Sequence, residues 1–114
     1  MLCFASLWQN NSAWVLSNIA AGTTEQALAV ISAGAVPVFV QLLTSSDHDV
    51  RKHAVWTLRN IAGDSAECRD AVLHAGALPP LLELCTVDVE ITLLREVTPL
   101  LSNLCRSAER TWWR

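Results

Sequence analysis

The chain repeats itself, and the repeat restricts the possible folds more than any other feature of the sequence. The segment AGAVPVFVQLL at 33–43 returns as AGALPPLLELC at 75–85, an offset of 42 residues. The segment WVLSNIA at 14–20 returns as WTLRNIA at 56–62 with the same offset, and more loosely as PLLSNLC at 99–105. A unit of this length cannot bury its apolar face alone, so the repeat predicts units stacked on one another.

Each period predicts three helices. The first helix lies around 25–32, the second starts near Val36, and the third, which is longer, runs from about 49 to 62. Gly34 and Gly76 end the first helix of each period, because glycine adopts the left-handed conformation at little cost. A proline three residues after each glycine falls in a first helical turn, which tolerates a missing N–H.

A period in the low forties that contains two or three helices is typical of armadillo and HEAT arrays. We predict an all-α fold, an armadillo-repeat right-handed α-solenoid with about two full repeats plus the last helix of a preceding one. The predicted boundaries are 1–21 for the end of one repeat, 22–63 and 64–106 for two repeats, and 107–114 for a tail. All of it forms a single armadillo-repeat segment.

Charge and composition narrow the class of partner. The net charge is -3 and the sequence pI is near 5.5, which argues against direct nucleic-acid binding and favours a basic protein or peptide. No apolar run is long enough to span a bilayer, so no membrane partner is predicted. The cysteines lack zinc-ligand spacing, and we predict buried free thiols in a reducing compartment and no cofactor. They are Cys3, Cys68, Cys85 and Cys105.

The long helix has two different faces. At 100° per residue its core stripe consists of Ala54, Leu58 and Ile61. Trp56 and Asn60 lie about 200° and 240° from Ala54, so they form a separate stripe together with His53. The preceding helix presents Asn11, Trp14 and Asn18 on the equivalent face. Stacked repeats therefore predict a Trp/Asn face, which we define by Trp14, Asn18, Trp56 and Asn60.

This face suits an extended basic peptide. Neighbouring indoles form a slot for the stem of a Lys or Arg, and asparagine carboxamides pair with peptide N–H and C=O groups. Asp64 can meet a lysine ammonium by a charge-assisted hydrogen bond. Structural roles remain alternatives: the tryptophans as packing residues, Asn18 and Asn60 as links between helices, and Asp64 as the cap of the next helix.

Catalysis finds no support in the sequence. The histidines show no ligand spacing, and no Ser-His-Asp, Cys-His or phosphate-loop pattern rises above chance. We predict that the chain is not an enzyme.

The segments SAWVLSNIAAG, AGAVPVFVQLL, AVWTLRNIAGDSAECRD and LSNLCR resemble the importin alpha (karyopherin alpha) family over residues 12–106. The resemblance implies a nuclear import adaptor of cytoplasm and nucleus, which binds the basic nuclear localisation signals of cargo proteins through a Trp/Asn groove. It also implies importin beta as a partner. The peptide-binding residues that it implies are Trp14, Asn18, Gly22, Trp56, Asn60, Asp64 and Asn103.

Several positions depart from that family. Pro99 replaces a third Trp, and it either kinks a helix interior or starts a shorter helix with Thr98 as cap. Ala27 replaces a Thr, and Lys52, His53 and Arg59 replace Glu, Gln and Gly. Lys52 and Arg59 add positive charge beside Trp56, so weakened cargo binding is expected.

The ends of the chain have no counterpart in the family. The basic importin-beta-binding segment, which precedes the repeats in the family, is absent, so complete transport activity is not expected. Trp112 and Trp113 suggest a truncated importin alpha product. A general armadillo scaffold of the catenin type is the alternative function.

Overall fold

The computed structural model describes residues 14, 15, 18–86 and 91–111, and within these it contains helices and short connections but no strand. The helices are α1 (helical at 14, 15 and 18–20), α2 (Thr24–Ser32), α3 (Ala35–Leu42), α4 (His48–Asp64), α5 (Ala66–His74), α6 (Leu78–Thr86) and α7 (Ile91–Thr111). The predictions of an all-α fold and of three helices per period are confirmed.

The helices pack as two successive three-helix units. Helices α2, α3 and α4 contact one another, α7 packs on both α5 and α6, and the most extensive contact joins α4 to α7. The last helices of the two units therefore lie next to each other. This contact is what stacks one repeat on the next and aligns their equivalent side chains.

Local capping explains where α2 begins and how it ends. Thr23 and Gln26 form a reciprocal capping box: the Gln26 N–H donates to Thr23 Oγ1 at 3.2 Å, and the Thr23 N–H donates to Gln26 Oε1 at 2.9 Å. Gly34 follows the helix with φ of 78°, and Gly76 follows α5 with φ of 81°. Both glycines are left-handed, as predicted, because a side chain there would be strained.

The core stripe of α4 is wider than the sequence predicts. Ala54, Leu58 and Ile61 are fully buried, as predicted, but Val50 and Val55 are fully buried as well. The reason is that α4 packs on α3 within its own repeat and on α5 and α7 of the next repeat. One apolar stripe on a helix corresponds to one packing partner, whereas a helix between two repeats has neighbours on more than one side.

Pro99 lies inside α7, so the alternative of a shorter helix capped by Thr98 is wrong. Thr98 Oγ1 donates to the Leu94 carbonyl at 2.8 Å, the back-bonding geometry of a mid-helix threonine rather than that of a cap. The helix also continues past the predicted repeat end at 106, as far as Thr111. The prediction for Trp112 and Trp113 falls outside the described residues.

The cysteine prediction holds only in part. Cys68 is a buried free thiol, but Cys85 and Cys105 are free and exposed, and Cys3 lies outside the described residues. Cys85 lies in the last turn of α6 and Cys105 lies within α7, and composition does not predict which side of a helix a residue occupies.

In the described part of the chain, no individual helix combines the length and the apolarity that crossing a membrane requires. Helices α2 and α3 meet that requirement only when joined, and an 82° bend separates them.

Candidate functional site

The two tryptophans of the Trp/Asn face lie on equivalent helices and away from the core. Trp14 in α1 is 55% exposed, and Trp56 in α4 is half-buried, whereas its neighbours Val55 and Thr57 are buried. Thr57 Oγ1 donates to the His53 carbonyl at 2.7 Å, which satisfies the one polar side chain of the α4 core. The predicted separation of Trp56 from the core side of α4 is confirmed.

The asparagines differ from one repeat to the next. Asn18 is exposed, while Asn60 and Asn103 are half-buried. Asn60 Nδ2 is buried without a hydrogen-bond partner, so part of its carboxamide is unsatisfied in the free chain. A buried donor of this kind costs free energy unless a partner reaches it.

Asn103 lies against the end of α4. A Cβ added at Gly63 would be 3.1 Å from Asn103 Nδ2, so the absence of a side chain at Gly63 leaves room for this carboxamide. Asn103 thus approaches α4 one residue before Asp64. The structure brings these two predicted site residues into the same region, at the junction of α4 and α7.

Asp64 is the last residue of α4, and it does not cap α5. The cap is Ser65, whose side chain accepts a hydrogen bond from the Cys68 N–H at 3.2 Å. The alternative that Asp64 caps the next helix is therefore wrong. The half-buried Asp64 carboxylate accepts a 3.9 Å contact from Cys68 Sγ, a weak donor, which leaves it acceptor capacity for a cation.

Gly22 has a local packing role. It occupies a bend after α1, and its N–H donates to the Ile19 carbonyl at 3.1 Å. A Cβ at Gly22 would collide with Gln26 Oε1 of the α2 capping box. Gly22 is the equivalent of Asp64 at the 42-residue offset, so the first repeat junction lacks a carboxylate where the second has one.

The positive charges around Trp56 differ from the prediction. Lys52 is exposed, but Arg59 forms an ion pair with Glu96 of α7, with 2.5 Å between Arg59 Nη1 and Glu96 Oε2. Arg59 is therefore not an uncompensated cation beside the face. Ala27, the other departure, is fully buried in α2.

Glu96 is the charged residue of the face that sequence reasoning missed. The offset of 43 residues that relates Trp56 to Pro99 and Asn60 to Asn103 also relates His53 to Glu96. His53 lies on the same stripe of α4 as Trp56 and Asn60, so the alignment of the repeats also predicts a place for Glu96 beside this face. In the described part of the chain, His, Cys, Asp and Glu side chains form no group of three or more that could hold a metal ion.

Stacked three-helix units with a repeated Trp/Asn face define a class of helical repeat protein. Residues 23–63 and 65–106 match the model of the Armadillo/beta-catenin-like repeat family. The chain belongs to this family of armadillo-repeat proteins.

Similar proteins define its character more narrowly. The chain is 51% identical over 98 residues to importin subunit alpha-3 of Arabidopsis thaliana and 54% identical over 98 residues to importin subunit alpha-1a of Oryza sativa subsp. japonica. Both alignments cover 86% of this chain, which spans only 18% and 19% of the length of these relatives. The repeats and these identities support the prediction of an importin alpha fragment.

Among solved structures, the chain resembles a designed armadillo repeat protein in complex with the peptide (KR)4, with a TM-score of 0.78 and 33% identity. The similarity covers 83% of this chain and 39% of the designed protein.

Proposed function

We propose that this chain acts as a nuclear import adaptor segment that binds basic nuclear localisation signals of cargo proteins in an extended conformation. The observation that carries the proposal is the repetition of Trp and Asn at equivalent positions of α1 and α4, on faces that the core leaves accessible. Similarity to importin alpha subunits and to a designed protein in complex with (KR)4 supports the same kind of ligand.

Each side chain has a defined role in this proposal. The indoles of Trp14 and Trp56 flank the aliphatic stem of a Lys or Arg and attract its charged head. Asn18, Asn60 and Asn103 pair with backbone groups of the peptide and fix its register. These roles involve only non-covalent binding and need no catalytic group.

Asp64 receives the ammonium of one lysine. It lies at the α4–α7 junction, it is half-buried, and the weak Cys68 thiol contact is readily replaced by a charged donor. Gly22, its equivalent at the previous junction, contributes no charge and keeps the α2 capping box intact. The lysine preference is therefore concentrated at one position.

The transport role follows from the relatives. Adaptors of this kind carry cargo between cytoplasm and nucleus, and we assign both compartments to this chain. Importin beta is the partner that we propose for that role. Cargo binding is the part of the function that a basic peptide tests directly.

The test is fluorescence anisotropy of a labelled (KR)4 peptide titrated with the chain at fixed, moderate ionic strength. Asp64→Asn should weaken binding about 10- to 100-fold, the equivalent of about 1.5–3 kcal/mol for a hydrogen bond to a charged group. Glu25→Gln is the matched control, because it removes the same charge from an exposed position in the first turn of α2.

The outcomes separate the two candidate functions. Binding that Asp64→Asn weakens to the expected extent and Glu25→Gln preserves supports the adaptor role. Equal weakening by both variants would mean that the loss of one negative charge explains the effect, whatever its position in the chain. If the parent chain is helical by circular dichroism but binds no basic peptide, a general armadillo interaction scaffold explains the chain better.

A further inference from the structure

The Arg59–Glu96 ion pair connects the last helices of two successive repeats, α4 and α7. Residues 37 positions apart in sequence approach to 2.5 Å between Arg59 Nη1 and Glu96 Oε2, and each side chain is 28% exposed. The pair is thus neither buried in the core nor fully solvated. Both charged groups are therefore partly accessible to solvent.

Its position along the helices identifies what it borders. Arg59 directly precedes Asn60 and follows Trp56 by three residues in α4. Glu96 precedes Pro99 by three residues in α7, and residues three apart are neighbours on a helix surface. The pair therefore borders the place where the third indole of the series is replaced by proline.

Glu96 already accepts a cation of the type that a basic peptide carries. The guanidinium of Arg59 is chemically the same group as that of a peptide arginine, so the Glu96 carboxylate can pair with either one.

We propose that Glu96 is a subsite for an arginine or lysine side chain of the bound peptide, and that Arg59 occupies this subsite in the free chain. Binding exchanges one cation for another: the peptide side chain pairs with Glu96, and Arg59 moves into solvent. Arg59 then competes with the peptide for Glu96. At the α7 position where Pro99 replaces the third indole, the chain selects a charged group, whereas an indole would select an aliphatic stem. This inference rests on the proposed peptide-binding function.

The test uses the same labelled (KR)4 peptide and four variants of the whole chain. Arg59→Met removes the competing charge but keeps an unbranched stem and helix propensity, and we expect it to tighten binding about three- to tenfold. Lys52→Met is the matched control, because Lys52 is an exposed cation on the same helix with no carboxylate contact comparable to that of Arg59. It should tighten binding less than twofold.

Glu96→Gln supplies the second arm. It should weaken binding, and it should do so more strongly in the Arg59→Met background, where nothing else occupies the carboxylate. Circular dichroism and thermal unfolding of each variant establish that the helices are retained. Arg59→Met keeps the stem that covers apolar surface, so the comparison does not depend on a truncated side chain.

Equal tightening by Arg59→Met and Lys52→Met would overturn the inference, since net charge would then explain both. So would a Glu96→Gln effect that is the same with and without Arg59. If the parent binds the peptide with the expected dependence on Asp64 while these variants change nothing, only the subsite is wrong. If neither the parent nor Arg59→Met binds, the proposed function fails as well.

Discussion

Replacing Pro99 with alanine should stabilise the protein. Pro99 is an exposed residue inside α7, a 21-residue helix, with eight helical residues before it and twelve after it. In a helix interior proline is about 3 kcal/mol less favourable than alanine, because it removes a hydrogen bond and its ring meets the preceding turn. Alanine at 99 would give the Arg95 carbonyl its helical donor.

The expected gain is about 1–3 kcal/mol in the free energy of unfolding. The lower values apply if α7 has already adapted to the proline ring, because less strain is then relieved. Each kcal/mol corresponds to about 4–8 °C in Tm for a domain near this size. Thermal and urea unfolding followed by circular dichroism at 222 nm would measure the change.

Pro37→Ala is the control for Pro99→Ala. Pro37 is also exposed, but it occupies the first turn of α3, after Gly34, which provides no side-chain cap for the first N–H groups. A new N–H there gains no partner, and the freer unfolded chain should cost about 0.4–1 kcal/mol. The reasoning would be refuted if Pro99→Ala failed to stabilise, or if Pro37→Ala stabilised equally.

Substitutions at three further positions test the local structure by unfolding measurements. Gly34→Ala should cost about 1 kcal/mol through backbone strain alone, since φ is 78° and an added Cβ meets nothing within 4 Å; a neutral result would contradict the left-handed turn. Ser65→Ala should cost about 1 kcal/mol by removing the α5 cap, whereas Ser65→Asp should restore most of it; a loss with Asp64→Asn instead would return the cap to Asp64. Leu58→Ala should cost about 2–5 kcal/mol and Leu58→Met less than about 1.5 kcal/mol, so equal losses would argue against a close-packed site.

The sequence was sufficient for features set by local physics and by the period. Gly34 and Gly76 end helices because of a backbone preference that neighbours do not alter, and the structure has both in the left-handed region. The placement of Leu58 in the core and Trp56 outside it followed from helical spacing alone.

Features set by packing between repeats were harder to predict. Val55 is buried because α4 has neighbours in two repeats, which one helical wheel cannot represent. The Arg59–Glu96 pair depends on how α7 lies on α4, and neither residue identifies the other in sequence. Pro99 could be placed inside or outside a helix by propensity, and tertiary packing of the amphipathic α7 decides in favour of the helix.

Comparison of the three equivalent helix positions, 14, 56 and 99, leads to a prediction of how peptide binding should depend on salt. In the proposed complex, Trp14 and Trp56 recognise a peptide side chain by burial of its stem, which is not an ionic interaction, and by a cation–π attraction worth about 0.5–1 kcal/mol at exposed sites. At the third position proline replaces the indole, and the proposed recognition depends on the partly exposed Glu96 carboxylate, whose attraction for a more distant cation is screened beyond about 8 Å at physiological ionic strength. Because binding there exchanges Arg59 for a peptide cation, screening weakens the pair lost and the pair gained together, and the net contribution of this position should depend on salt less than a new ion pair would. Among the described residues the Asp64 carboxylate contacts the Cys68 thiol and pairs with no cation, so the salt dependence of the proposed cargo binding should arise chiefly from Asp64.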